Sequence, residues 1–313
     1  MVFRPRLFSR PLRERYPVRK AGSYLISDRH FAKLAFLQDH GRLPQSPPVT
    51  FNERISDLIG SGASGRYEAY CDKLAVRDLV ARKIGSKYLV PLHATADKLT
   101  ADLWDRLPES FMLKPSHGSG WFWLIRNKST EKFGEVSTVA ANWLRMNYYY
   151  YYRERQYRNI RPVLLFEHVL SGGQGGEAPE YKFFCFHGKA RMVYALFQRG
   201  LKRRLLYDMD WNKLNVRYKD PNVGHAPRPA ALEEMRSIAE TMAQGFDFVR
   251  VDLYSAAEGV FFGELTFTPL IGSDPFDPPE FDAFLGGLWA GGAGDMAQWR
   301  EAREPLPMAV GQD

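Results

Sequence analysis

Two carboxylates in the last quarter of the chain, Asp252 and Glu264, give this sequence its plainest chemical signal. They sit in Phe248-Val249-Arg250-Val251-Asp252-Leu253-Tyr254 and Val260-Phe261-Phe262-Gly263-Glu264-Leu265-Thr266-Phe267, two strand-like runs joined by a turn around Ser255 to Gly259. Side chains alternate between the faces of a strand. One face therefore gathers Val249, Val251 and Leu253 with Phe261, Leu265 and Phe267. The other gathers Arg250 and Asp252 with Glu264 and Thr266. A connection of this length sets Asp252 roughly opposite Glu264, with Cα atoms about 5 Å apart. Like charges opposed on a sheet repel, so a cation belongs between them. An oxygen-only site with open positions suits Mg²⁺. The competing reading is a surface pair neutralised by Arg250 and water.

A second constellation is Phe111-Met112-Leu113-Lys114-Pro115-Ser116-His117-Gly118-Ser119-Gly120, a strand that ends in a lysine and runs into small residues. Successive backbone N–H groups of such a loop can cradle phosphate oxygens, and the lysine adds a point charge. A solvated hairpin turn explains the same residues equally well. Gly60 to Gly65 with Arg66 mimics a phosphate loop but lacks the Lys-Ser/Thr ending and a preceding strand, so it reads as a linker. No dinucleotide-binding glycine fingerprint follows a strand. The seven histidines are scattered, which argues against a zinc site, and no Ser–His–Asp or Cys–His grouping is evident.

The elements that must hold these residues are mixed. The first 70 residues read as a basic arm and one or two helices, interrupted by Pro44, Pro47 and Pro48. Asp72 caps an amphipathic helix carrying Leu74, Ala75, Leu79 and Val80. Short strands are expected at Leu89–Leu92, Phe111–Lys114, Val163–Leu170, Tyr181–Phe186 and Ala190–Phe197, with a helix over Pro229–Gly245 and a hairpin over Phe248–Phe267. Asn142 to Tyr157 reads as one aromatic, basic helix, and the tail after Trp299 as weakly ordered. The fold class is α+β, two lobes around a cleft. The expected units are 1–70, 71–170, 171–300 and a tail 301–313.

Bulk properties narrow the function. The 313 residues are 45% hydrophobic and 25% charged, as in a globular protein. No apolar run is long enough to span a bilayer, and no secretory leader is evident. Cys71 and Cys185 show no metal or redox spacing, which fits a reducing cytoplasm. Residues 1–20 hold seven basic residues against Glu14 alone, so nearly all of the formal charge of +7 resides there. The body is close to neutral, and a general nucleic-acid surface is not implied. The arm is either simply solvated or docks on an anionic membrane or polymer.

Six ordered motifs together resemble the TupA-like family of the ATP-grasp superfamily. They are Phe51-Asn52-Glu53; Asp72-Lys73-Leu74-Ala75-Val76-Arg77; Lys114 to Gly120; Glu167-His168-Val169; Tyr181 to Phe186; and Phe262 to Phe267. The resemblance implies an ATP-grasp fold whose two α+β lobes clamp ATP, with Mg²⁺ as cofactor. It implies a ligase that forms an acyl phosphate from a carboxylate and lets an amine displace phosphate. Lys73 and Lys114 resemble phosphate-binding lysines, and Ser116, His117, Gly118, Ser119 and Gly120 the mobile loop. Glu167, Val169 and Leu170 resemble the adenine hinge, and Glu180 the ribose contact. Arg250 resembles the arginine on the transferred phosphate, and Lys182, on the strand face of Glu180, could reach the γ-phosphate or form an exposed ion pair. Asp252 and Glu264 resemble the magnesium ligands, with Thr266 where many relatives have asparagine.

The expected substrates are a uronic acid or related carboxylate, on a surface polysaccharide or its precursor, and an amine or amino acid. A kinase-like phosphotransferase and a non-catalytic ATP-binding module are the alternatives. Tyr148, Tyr151, Tyr152 and Arg155 would share one helical face, as core packing or as a platform for a sugar or an anionic polymer. Arg199, Lys202, Arg203 and Arg204 could grip carboxylates or form an ordinary exposed loop. His187-Gly188 reads as a hairpin turn.

Overall fold

The computed structural model describes residues 10–172, 176–197, 203–218 and 223–301. Helices α1 (Arg10–Leu25), α2 (Asp28–His40), α3 (Phe51–Gly60), α4 (Glu68–Cys71) and α5 (Val76–Lys83) come first. Then follow β1 (Leu92–Ala96), α6 (Ala101–Arg106), β2 (Phe111–Pro115), β3 (Trp123–Ile125), α7 (Phe133–Arg145), α8 (Tyr149–Tyr152) and β4 (Leu164–Glu167). The remainder comprises β5 (Glu180–Phe186), β6 (Lys189–Phe197), β7 (Arg203–Asp208), β8 (Arg217–Tyr218), α9 (Leu232–Ala243), β9 (Phe248–Ala256), β10 (Gly259–Thr266), β11 (Phe276–Asp277) and α10 (Glu280–Trp289). Mixed helix and sheet make this an α+β fold.

Strands β1-β4-β2-β3 form one antiparallel sheet and β10-β9-β5-β6-β7 a second; β11 and β8 make a short pair. Alternation decides what each face of the larger sheet buries. Val249, Val251, Leu253, Phe183, Cys185 and Val193 pack with Leu232, Met235, Ala239 and Met242 of α9. On the opposite face Phe248, Phe184, Phe186 and Met192 lie in a core shared with Phe51 and Ile55 of α3 and Phe281 and Leu285 of α10. The smaller sheet has its own core, built on Phe111, Leu113 and Phe166 against Trp143 of α7 and Trp104 of α6.

Several expectations shift. The strand expected at Leu89–Leu92 lies later, at β1, while Leu89 makes a single bridge to Phe262. The Gly60–Gly65 stretch is no flexible linker: Ala63–Tyr67 is a 3₁₀ turn with Ser64 and Tyr67 buried. Asn142–Tyr157 is not one helix. His117 Nε2 donates to the carbonyls of Trp143 (3.1 Å) and Met146 (2.9 Å), closing α7, and Arg153 takes φ 60° after α8. The tail begins in order, since Arg300 donates to Asp208 (2.6 Å) and Asp210 (3.1 Å); residues 302–313 lie outside the described ones.

The cover on the lower half of the large sheet is fixed at the start of α3. Thr50 accepts from the Glu53 N–H, and Glu53 accepts in return from Val49 and Thr50, a capping box with a fully buried carboxylate. Asp282 of α10 accepts from the Asn52 N–H at 3.0 Å. The two helices meet where α10 carries Gly286, whose absent Cβ would lie 2.0 Å from the Val49 carbonyl oxygen. Gly286→Ala should therefore destabilise the fold by about 2 kcal/mol, lowering the melting midpoint by about 3 °C for a chain of 313 residues. Gly287→Ala, with nothing within 4 Å, should raise it slightly, since alanine is the better helix former. Thermal unfolding of the two variants side by side checks this.

Candidate active site

Cross-strand register assembles a polar field on the half of the large sheet that α3 and α10 leave open. One rung runs Glu264–Asp252–Lys182–Tyr194, and the rung beside it Tyr254–Glu180–Leu196–Arg204. Arg250 and Thr266 pair on the rung toward the aromatic core. Asp252 and Glu264 are thus direct register partners. The hydrophobic half of the hairpin differs from expectation, because the register shifts between Phe262 and Glu264. The extra residue, Gly263, sends Phe262 to the core facing α9 and leaves Phe261 opposite Tyr254.

Asp252 is wholly buried, and its charge is met from two strands. Arg250 Nε and Nη2 donate to its two oxygens at 2.7 Å each, and Lys182 Nζ pairs with Oδ2. Lys182 also pairs with Glu180 at 2.8 Å, so it is a buried bridge and not an exposed pair. Arg250 reaches Glu264 (3.4 Å) and Thr266 Oγ1 (3.1 Å), and that hydroxyl donates to Glu264 at 2.9 Å. Burial opposes the charge of Glu264, but Lys73, Lys182 and Arg250 outweigh it and hold the carboxyl at about 2. Burial likewise opposes the charges of Lys182 and Arg250, yet Asp252 raises both above their ordinary values.

The small sheet brings the other cations. Lys114 ends β2 and pairs with Glu167 on β4 at 2.6 Å, while Arg77 of α5 lies 3.8 Å from the same carboxylate. Lys73 Nζ donates to the Gly118 carbonyl, and its backbone N–H donates to Ser116. Burial lowers its pKa, with Glu264 opposing. Lys73, Lys114 and Glu167 line a cleft of about 460 Å³, within the range of small-molecule sites; Asp252 and Thr266 lie behind its wall and are not among the lining residues. Val169, Leu170, Ser119, Gly120, Glu180, Lys182, Arg250 and Glu264 all face it.

The loop after β2 divides in two. Ser119 and Gly120 reach the cleft. Ser116 and His117 do not, since both side chains are buried behind it. Ser116 Oγ donates to Arg161 and accepts from the Val163 N–H. Gly118 has φ +117°, and a Cβ there would press on the rings of Trp121 and Tyr148 at 3.1–3.2 Å. The tyrosine run packs as well. Tyr149 and Tyr151 are buried, and Tyr148 lies against Trp121, Tyr152 and Tyr157. The tyrosines pack on one another and on Trp121, while the break at Arg153 takes Arg155 off their face to pair with Asp28 at 2.6 Å. Of the second basic cluster, Arg204 stacks between Tyr194 and Tyr218 and pairs with Asp274 at 3.5 Å, at the cleft wall. Arg199 and Lys202 lie outside the described residues, as does the side chain of Arg203.

Sequence reasoning missed Met112, Leu124, Tyr194, Leu196 and Tyr254 in the cleft lining. Their signal was available for three: Met112 shares a strand face with Lys114, Tyr194 pairs with Lys182, and Leu196 with Glu180. It also missed Glu154. This carboxyl is buried; Thr268 Oγ1 donates to it at 2.5 Å and Gln156 Nε2 at 3.2 Å. Burial, with Glu264 adding to it, raises its pKa to about 8.

Two sheets facing a cleft, with Lys114 entering from the smaller, Lys73 from the turn before α5, and Glu264, Lys182 and Arg250 from the larger, fit the ATP-grasp class. The chain matches the family described as TupA-like ATPgrasp over residues 53–290, and it belongs to that family. Solved structures similar to it are ATP-grasp proteins. They include the ligase PsnB complexed with minimal precursor (11% identity, TM-score 0.40, covering 76% of this chain and 67% of that one). D-alanine–D-alanine ligase from Bacillus anthracis complexed with ATP is another (13%, 0.41, 77% and 82%). A third is a RimK domain ATP-grasp protein from Sphaerobacter thermophilus DSM 20745 (13%, 0.39, 83% and 75%). No curated protein matches the chain. Family membership supports an ATP-dependent ligase that uses ATP with Mg²⁺. No described helix is long and apolar enough to cross a membrane.

Glu154 gives the fold a pH dependence of definite sign. The unfolded chain releases this proton near its ordinary 4.5, whereas the folded protein keeps it to about 8. Folding therefore takes up a proton between those values, and stability from this group falls as pH rises through the window, with a slope approaching about 1.4 kcal/mol per pH unit. Glu154→Gln keeps an amide where the neutral acid sits and cannot titrate. Denaturation midpoints measured from pH 5 to 9 should fall less steeply for the variant; parallel curves would remove the assignment.

Proposed function

We propose that the chain is an ADP-forming carboxylate–amine ligase acting through an acyl phosphate. The observation that carries this reading is the rung on which Asp252 and Glu264 stand side by side, with Arg250 on both and Lys182 across it. Phosphoryl transfer needs charge neutralisation and alignment more than a protein nucleophile, and this field supplies both. A substrate carboxylate oxygen attacks the γ-phosphorus of ATP as the bond to the bridging oxygen of ADP breaks. The amine nitrogen then attacks the acyl carbon, phosphate leaves, and the nitrogen loses a proton to give the amide.

In this reading Lys73 and Lys114 bind phosphates with the backbone of Gly118, Ser119 and Gly120. Ser116 and His117 brace that loop from behind. Val169 and Leu170 offer backbone to the adenine beside Glu167, and Glu180 faces the ribose. Arg250 and Lys182 meet the charge that gathers on the transferred phosphoryl group. The donor set is all oxygen, as magnesium prefers; Arg250 and Lys182 hold both Asp252 oxygens in this structure, so they would have to yield a position for the ion. Among the described residues no group of three His, Cys, Asp or Glu competes for another metal. Asp252 and Glu264 would hold the ion, with Thr266 beside them, and Mg²⁺ would neutralise phosphate charge. We read residues 71–170 and 171–300 as the two lobes of the clamp and 1–70 as an N-terminal extension. Family resemblance supports a uronic acid, in a surface polysaccharide or its precursor, as the acid, and an amine or amino acid as its partner. A cytoplasmic setting, where Cys71 and Cys185 would stay reduced, fits two buried free thiols.

Coupled ADP release across a panel of uronates and amino acids tests this. Turnover should require both acid and amine, and hydroxylamine should trap a hydroxamate. A stable phosphorylated product without amine would sink the ligase reading and indicate a phosphotransferase. Asp252→Asn and Glu264→Gln should each lower turnover by about a thousandfold or more, on the scale of losing a preorganised charged group. Wild-type turnover in either at low Mg²⁺ would overturn the metal assignment.

A further inference from the structure

Exposed apolar side chains are not spread over this protein. Among the described residues, every exposed large hydrophobic except Val223 falls between residues 18 and 49. The two most exposed, Leu25 (86%) and Tyr24 (75%), stand at the corner between α1 and α2, with Ile26 (41%) next to them; the Tyr24 ring is exposed although its hydroxyl bonds Tyr150. A run of three exposed apolar residues is a liability unless something covers it. Val18 on α1 and Leu34 and Leu37 on α2 extend the patch.

The corner is tied to the body through α1. The inner face of α1 is anchored by Tyr16, whose hydroxyl accepts from the Asn147 N–H at 3.1 Å and whose ring lies 5.7 Å from that of Tyr151. Arg19 donates to the Tyr151 carbonyl at 2.8 Å, and Arg153 to that of Ser23 at 3.3 Å. Val18 and Leu25, seven apart, therefore point away from the body. On α2, Asp28, Ala32 and Phe36 are buried, which turns Lys33, Leu34 and Leu37 outward.

Charge decides what can cover this face. Lys20, Arg29 and Lys33 are exposed beside the apolar residues, and the first 20 residues hold seven cations. The nearest acid on α2, Asp28, is buried against Arg153 and Arg155, so it offsets nothing outside. The exposed Asp39 stands at the far end of α2. A second copy would set positive against positive. A soluble polyanion would meet the cations and leave the apolar corner wet.

We propose that the α1–α2 corner docks on an anionic phospholipid surface, with Tyr24, Leu25 and Ile26 entering the headgroup–acyl boundary and Lys20, Arg29 and Lys33 at the phosphates. Burial of apolar area and attraction to anionic lipid act together in such interfacial contacts. Each cation near the surface contributes about 1 kcal/mol, or roughly fivefold in affinity. Lysine stems can lie along the apolar layer while their ammonium groups stay in the headgroups.

Full-length protein sedimented with vesicles tests this without any substrate. It should bind vesicles of three parts phosphatidylcholine to one part phosphatidylglycerol, bind less as salt rises, and ignore pure phosphatidylcholine. Leu25→Glu with Ile26→Glu should lower binding by about tenfold or more, and Lys33→Gln roughly fivefold. These side chains face solvent, so melting midpoints should not move; if the double variant nevertheless unfolds, Leu34→Gln makes the same test on α2. Unchanged binding by these variants, or no binding to either vesicle, overturns the proposal. So does binding to soluble polygalacturonate in place of vesicles, or a concentration-dependent dimer that Leu25→Glu abolishes.

Discussion

A carboxylate with no access to water must have its charge answered inside the protein, and Asp252 imposes that demand on the large sheet. Arg250 meets both of its oxygens from the same strand, and Lys182 meets one from the next. Removing one partner from such a cluster costs about 3–5 kcal/mol, because the remaining charge is stranded. The register of β5, β9 and β10 is pinned accordingly. A slip of one residue would turn Asp252 into the apolar layer beneath α9 and carry Val251 into the cleft.

The same sheet face has two textures, and their boundary is the wall of the site. Phe248, Phe184 and Phe186 lie under α3 and α10, while Arg250, Lys182 and Glu180 continue the same alternation into the open half, with Asp252 buried beneath them. What stops the helices from covering the polar rungs is the tight joint at Thr50, Glu53 and Gly286. Placing charged groups on strands locked from behind by an apolar core preorganises them, so little rearrangement opposes their use.

Legibility in the sequence followed from how local the cause was. Alternation revealed β5, β6 and β9, because their faces differ sharply in polarity, and turn length revealed that Asp252 faces Glu264. Phe261 was assigned to the core face that Phe262 in fact occupies, because a bulge adds one residue, although Gly263 marked the spot. The tyrosine run had helical spacing, but His117, some thirty residues earlier, closes α7 before it, a contact no local window contains. Helix α10 was hidden by Gly286 and Gly287, which disfavour helix; one of them is required by the close approach of Val49. Ser116 and His117 fell in a loop, where no periodicity says which side chains turn inward.

The loop after β2 shows why motif residues and their supports belong together. Gly118 lets two rings approach, Trp121 and Tyr148, and its carbonyl takes the ammonium of Lys73. Trp121 in turn packs on Tyr151, and Tyr151 on Tyr16 of α1. A continuous run of aromatic contacts thus joins the N-terminal helix to the loop. Contiguity alone is a scaffold, since signalling requires an element with two arrangements that both ends bias. Its physical consequence is positional. Lys73 is half-buried and its charge is disfavoured by that burial, so it needs the Gly118 carbonyl and the Glu264 charge held at fixed distances. The tyrosine segment therefore supports the cleft wall without lining it, by packing on a glycine whose φ of +117° side chains rarely adopt.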